Sequence, residues 1–62
     1  MNDQDRRDII DALNRENRST QERILATLDS FKNWVMLALY VIYLKIRNKL
    51  QSLWNWLRLA FA

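Results

Sequence analysis

Asp5, Asp8 and Asp11 recur every three residues, so on a helix Asp5 with Asp8, or Asp8 with Asp11, brings two carboxylates to one face. A general acid and base pair, or a cation site, would use that arrangement. Nothing else in the chain completes such chemistry. The sequence has no His and no Cys, which removes an imidazole base, a thiolate nucleophile, zinc-finger ligation and a His-ligated haem. It has no Gly either, so a glycine-rich phosphate cradle cannot be built. The acids instead suit the positive end of a first helix, which Asn2 or Asp3 can cap through a short side-chain oxygen. A non-enzymatic protein, with no metal site and no cofactor, is the expectation.

A second constellation is basic and aromatic. Lys45, Arg47, Lys49 and Arg58 interleave with Trp54 and Trp56, while Lys32 and Trp34 stand at the other end of an apolar run. Stacking on Trp with neutralisation of phosphate is one way to hold single-stranded nucleic acid. Four cations spread from Lys45 to Arg58 are thin for that purpose, and nucleic acid is the disfavoured partner. Lipid is favoured, because a Lys stem can lie in hydrocarbon with its ammonium at the headgroups, and Trp settles at the interface. Lys32, Trp34, Lys45, Arg47, Lys49, Trp54, Trp56 and Arg58 are therefore the expected membrane-interface residues. The charge distribution agrees: all seven acids lie at or before Asp29 with five Arg, a net −2, whereas from Phe31 onward five cations stand with no acid. An anionic surface facing the second half is what such asymmetry suits.

The elements that position these groups must be helical. Gly and Pro are absent, and no Asn-Gly or Asp-Gly pair marks a hairpin. Ser19-Thr20-Gln21-Glu22 matches a capping box ahead of Ile24 and Leu25, which predicts a second helix from Ser19 after a bend near Asn17 to Ser19. From there the apolar residues repeat every eleven positions. Ile24, Val35, Ile46 and Leu57 form one series, Leu28, Leu39, Leu50 and Phe61 another, and Phe31, Ile42 and Leu53 a third. Eleven residues in three turns is about 3.67 per turn, so the stripe hardly drifts around a straight helix and a left-handed zipper is not required. Those eleven residues are the expected helix-packing stripe. The helix carrying them is expected to run unbroken to about Leu59, or to loosen at Asn48 to Ser52 with Ser52 capping a last segment.

Trp34 to Leu44 holds no charge, no amide and no helix breaker, so the run is expected to be shielded from water on every side by lipid or a partner. A full span takes about twenty apolar residues. A tilted span from about Ser30 to Leu50 is thus one possibility, and a helix lying in the interface is the other. Beyond it, Lys45 to Ala62 forms an amphipathic basic helix, its Ile46, Leu50, Leu53, Trp54, Leu57 and Phe61 on one side.

The fold class expected is all-α: one long helix or two to three consecutive ones, membrane-associated, with little tertiary core of its own because so short a chain buries a small fraction of its surface. Residues 1–30 read as a polar, slightly acidic helical region, 31–46 as an apolar helix embedded in membrane or partner, and 47–62 as a basic, Trp-rich amphipathic helix. The expected function is that of an accessory subunit or regulator of a larger membrane assembly, meeting the bilayer and a protein partner or its own copies through one helix face. A membrane-active holin-like, lysis or toxin peptide and a soluble helical oligomer are the alternatives. The order of acidic polar helix, apolar middle and basic end resembles the layout of filamentous-phage coat proteins, which would imply a phage structural role, although the Trp-rich tail departs from it. Were the helix to span, the richer cationic flank would place the C-terminus in the cytoplasm.

Overall fold

A computed structural model of the chain describes residues 3–61. Side-chain caps set where two of its helices begin. Helix α1 (Asp3–Asn14) carries Asp3 and Asp5 in its first turn, where carboxylates complement the helix dipole; Asn2, the other candidate cap, lies outside the described residues. Helix α2 (Arg18–Leu25) is capped by Asn17, whose Oδ1 accepts the Thr20 N–H at 2.8 Å. That start is two residues earlier than the expected Ser19 cap. Asn is among the strongest cap residues, and Glu22, the partner Ser19 needed, is held instead by Arg18 Nε at 3.4 Å.

Helix α3 (Leu28–Ala38) is capped by Thr27, whose Oγ1 accepts the Ser30 N–H at 3.0 Å and donates to Ser30 Oγ at 2.9 Å. Helix α4 (Tyr40–Ile46) follows a single non-helical residue, Leu39, at φ −139° and ψ 53°. Hydrogen bonds of four-residue spacing continue across that residue, from Leu39 N–H to the Val35 carbonyl at 2.7 Å and from Tyr43 N–H to the Leu39 carbonyl at 2.8 Å. A 3₁₀ turn over Arg47–Lys49 then leads into α5 (Leu50–Ala60).

The helix expected to run unbroken from Ile24 is therefore interrupted at Ala26–Thr27, at Leu39 and at Arg47–Lys49. The last break adjoins the loosening expected at Asn48 to Ser52, but Ser52 lies inside α5 and that helix has no side-chain cap. Tight corners form without glycine, since no described residue has a positive φ; extended backbone at Asn17 and Thr27 supplies them.

Dimensions show what the breaks achieve. A straight helix from Ile24 to Leu59 would reach roughly 54 Å at 1.5 Å per residue, whereas the longest dimension of the molecule is 27 Å. Its radius of gyration is 10.3 Å, close to the value of about 10.6 Å for a compact chain of this length. Its accessible surface is 4369 Å², against about 4,300 Å² for a folded monomer of this mass.

Folded back, the stripe covers itself. Ile24, Phe31, Val35, Ile46, Leu50, Leu53 and Leu57 are buried in one core with Ile9, Leu13 and Leu25, while Leu28, Leu39, Ile42 and Phe61 pack half-buried against it. Helix α5 packs on α2 and α3, and α3 also bears on α2 and α4. The expectation of little tertiary core is corrected accordingly. An apolar stripe can be covered by a partner, by lipid or by its own chain, and each large side chain buried gains about 1.5–3 kcal/mol in any of the three. The caps at Asn17 and Thr27 let this chain choose the third.

Truncating Phe31 to Ala, which empties a fully buried ring site, is expected to lower stability by about 3–5 kcal/mol. Thr27→Ala should lower it by about 1 kcal/mol through loss of the cap. Urea titration followed by helical circular dichroism checks both; a comparable loss from Val41→Ala would show that the core lies elsewhere.

Candidate functional site

Helix α4 carries one charged residue, Lys45. Its inner side contributes Ile42, Tyr43 and Ile46 to the core. Its outer side leaves Tyr40 57%, Val41 66% and Leu44 46% exposed, and Leu37 in the last turn of α3 is 84% exposed. Positions 40, 41 and 44 share one face of α4 by spacing, Leu37 precedes the break at Leu39, and the rings of Tyr40 and Tyr43 stack at 6.4 Å. Contiguous apolar surface on the order of a few hundred Å² marks functional surface on monomers. Within the chain itself the run Trp34 to Leu44 is covered on one side: Val35 is buried, Trp34, Met36, Leu39, Ile42 and Tyr43 are half-buried, and Leu37, Ala38, Tyr40, Val41 and Leu44 are exposed. The reason is geometric, because a helix at the edge of a small bundle turns only one face inward.

The first turn of α1 borders this corner. Lys45 Nζ lies 3.8 Å from Oδ1 of the buried Asp5, and the next residue, Arg6, places its guanidinium 5.1 Å from the centre of the Trp56 ring on α5. Two further side chains donate to backbone carbonyls at or just beyond helix ends. Gln21 Nε2 donates to the carbonyls of Leu13 at 2.7 Å and Glu16 at 3.1 Å. Trp54 Nε1 donates to the Leu25 carbonyl at 2.9 Å, tying α5 to the end of α2.

The expected interface residues are divided by this arrangement. Lys32, Arg47 and Lys49 are exposed, and Lys45 is exposed beside Asp5. Trp34 lies half-buried with its ring 6.4 Å from that of Phe31. Trp54 is half-buried in the hydrogen bond just described, with the Arg58 guanidinium 4.0 Å above its ring and Arg58 Nη2 donating to Asn55 Oδ1 at 2.7 Å. Trp56 remains 42% exposed. The carboxylates at three-residue spacing take different partners: Asp5 faces Lys45, and Asp8 Oδ1 accepts from Gln4 Nε2 at 2.8 Å. Among the described residues no group of three or more carboxylate, His or Cys side chains is placed to hold a metal.

Among the described residues no helix is long and apolar enough to cross a membrane, so the orientation expected for a spanning helix has no element to rest on. Compared with protein-family models, curated proteins and solved structures, the chain matches none of them. Sequence reasoning missed Leu37, Val41 and Leu44 as a surface; the available signal was that all three fall off the eleven-residue stripe within an otherwise apolar run. The placing of Asp5 and Arg6 beside residues far along the chain had no sequence signal.

Trp54→Phe keeps the ring and deletes its N–H, so it should cost about 1–3 kcal/mol by leaving the Leu25 carbonyl unpaired. Trp56→Phe should cost about 1 kcal/mol or less, having only the stacked guanidinium to weaken. Denaturant midpoints of the two variants, measured side by side, check the ordering.

Proposed function

We propose that this is a small non-enzymatic helical protein that docks peripherally on an anionic lipid surface through its α3–α4 corner, as an accessory subunit of a larger membrane assembly. The observation that carries the reading is the exposed group Leu37, Tyr40, Val41 and Leu44, in a half of the chain that has no acid. Val41 and Leu44 would enter the acyl boundary while Tyr40 and Lys45 stay at headgroup level. Peripheral docking is the mode that fits, because among the described residues the longest helix has twelve residues and a span takes about twenty. Helix α5 turns Leu50, Leu53 and Leu57 of its apolar side into the core, leaving Trp56 and Leu59 exposed.

Two terms of different character support such docking. Apolar burial contributes about 1.5–3 kcal/mol per large side chain and is insensitive to salt. Exposed cations add about 1 kcal/mol each near an anionic surface, an attraction that salt screens. Val41→Ser with Leu44→Ser is therefore expected to weaken sedimentation with phosphatidylglycerol vesicles by at least roughly tenfold at any ionic strength, with an unchanged unfolding midpoint. Lys32→Gln with Arg47→Gln should weaken it in low salt only. Wild-type protein remaining in the supernatant with every vesicle would overturn the reading. So would a dimer in analytical ultracentrifugation that the Val41 and Leu44 changes dissociate, since a second copy would then be what covers this corner.

A further inference from the structure

Arg6 from the first turn of α1 meets Lys49, Ser52, Leu53 and Trp56 around a cleft of about 230 Å³. Two cations thus line one small space, and among the described residues no carboxylate lines it with them. Among the described residues neither Arg6 nor Lys49 lies within ion-pair distance of an acid; Asp5, beside Arg6 in sequence, has Lys45 before it instead. Like charges converging without a counter-charge repel, and an anion between them converts that repulsion into attraction. A second groove, lined by Lys32 and Arg47 at the α3 side, differs in containing Asp29.

We infer that the cleft between the start of α1 and the outer side of α5 binds a phosphate monoester, the headgroup of an anionic lipid or a small soluble phosphate. A monoester carries about −1.5 to −2 at neutral pH, which two cations match, whereas a diester carries a single charge. The Arg6 guanidinium is oriented by the face of Trp56 and offers the planar fork that takes two phosphate oxygens. Lys49 supplies a point charge, and the Ser52 hydroxyl is a further donor. Leu53, 4% exposed, floors the cleft. Its volume lies below the roughly 300–1,000 Å³ of sites for drug-sized ligands, so it suits a phosphate group and not a whole nucleotide. Position supports a lipid source: Asp5, adjoining Arg6, lies against Lys45, which follows Leu44 in the exposed apolar corner. A phosphate in the cleft would stand at headgroup level when that corner meets acyl chains. The lipid source rests on the docking reading above, whereas the cleft itself does not.

The test uses the full chain, with phosphatidylcholine vesicles doped with phosphatidic acid or, to equal surface charge, with phosphatidylglycerol. The monoester vesicles should bind roughly tenfold tighter. Arg6→Gln and Lys49→Gln, each checked for native helicity, should abolish that preference while leaving phosphatidylglycerol binding close to that of Arg23→Gln, a charge-matched change on α2. Equal binding of both vesicle types by the wild type, or a preference that survives both cleft variants, overturns the site and leaves docking intact. Absence of binding to any vesicle defeats docking; the cleft then stands if glycerol 3-phosphate alters Trp emission in the wild type but not in Arg6→Gln or Trp56→Phe, and falls if it alters nothing.

Discussion

Among the described residues no helix is long enough to stand by itself. The longest there has twelve residues and the shortest seven, and isolated helices below about 12–15 residues are marginal in water. Their common core therefore stabilises secondary structure as much as tertiary structure. The fully buried side chains come from separate helices: Ile9 and Leu13 from α1, Phe31 and Val35 from α3, Ile46 from α4 and Leu57 from α5. Removing any one weakens elements that do not contain it. In a molecule this small the core has no redundancy, since native stability is a narrow difference between large opposing terms.

The corners obey a related economy of means. Without Gly or Pro, the corners at Asn17 and Thr27 are fixed by side chains. Asn17 and Thr27 accept amide protons at helix starts, while Gln21 and Trp54 donate to carbonyls at helix ends. Each of these polar groups satisfies a helix terminus and also locates the next element. Gln21 bonds back to α1 from α2, and Trp54 bonds from α5 to α2. The half-buried indole thus fixes the orientation of α5, which in turn sets Leu53 inward and leaves Trp56 and Lys49 along the side that faces α1.

Helical character was legible from the absence of breakers and the regular apolar period. What covers the stripe was not, because an amphipathic pattern is the same whether the helix meets lipid, a partner or its own chain. The discriminating marks were weak: Thr27 and Ser30 are small polar residues in a largely apolar stretch, and Asn17 is a single residue beside the longer capping-box match at Ser19. The break at Leu39 has no marker at all, since neither Pro, Gly nor a capping side chain accompanies it. For the surface, the cations were visible through charge asymmetry, but Leu37, Val41 and Leu44 were apolar letters in an apolar run. Only a bundle that turns its inner face elsewhere reveals them as exposed. Trp54 illustrates the opposite limit: in sequence it is one of three Trp suited to an interface, and in the fold its N–H is bound within the protein.

The hydrogen bond from Trp54 to Leu25 also has a kinetic meaning. Successive helices α2, α3 and α4 meet their immediate neighbours, and chains dominated by such local contacts fold on microsecond to millisecond timescales. The indole bond instead joins residues 29 apart, closing a ring of chain that contains α3, α4 and the 3₁₀ turn. Loop entropy rises only with the logarithm of ring size, so the closure is inexpensive for what it encloses. The topology thus separates two kinds of contact: the local corners lie within the ring, and the bond from indole to carbonyl is what makes the chain a closed circuit.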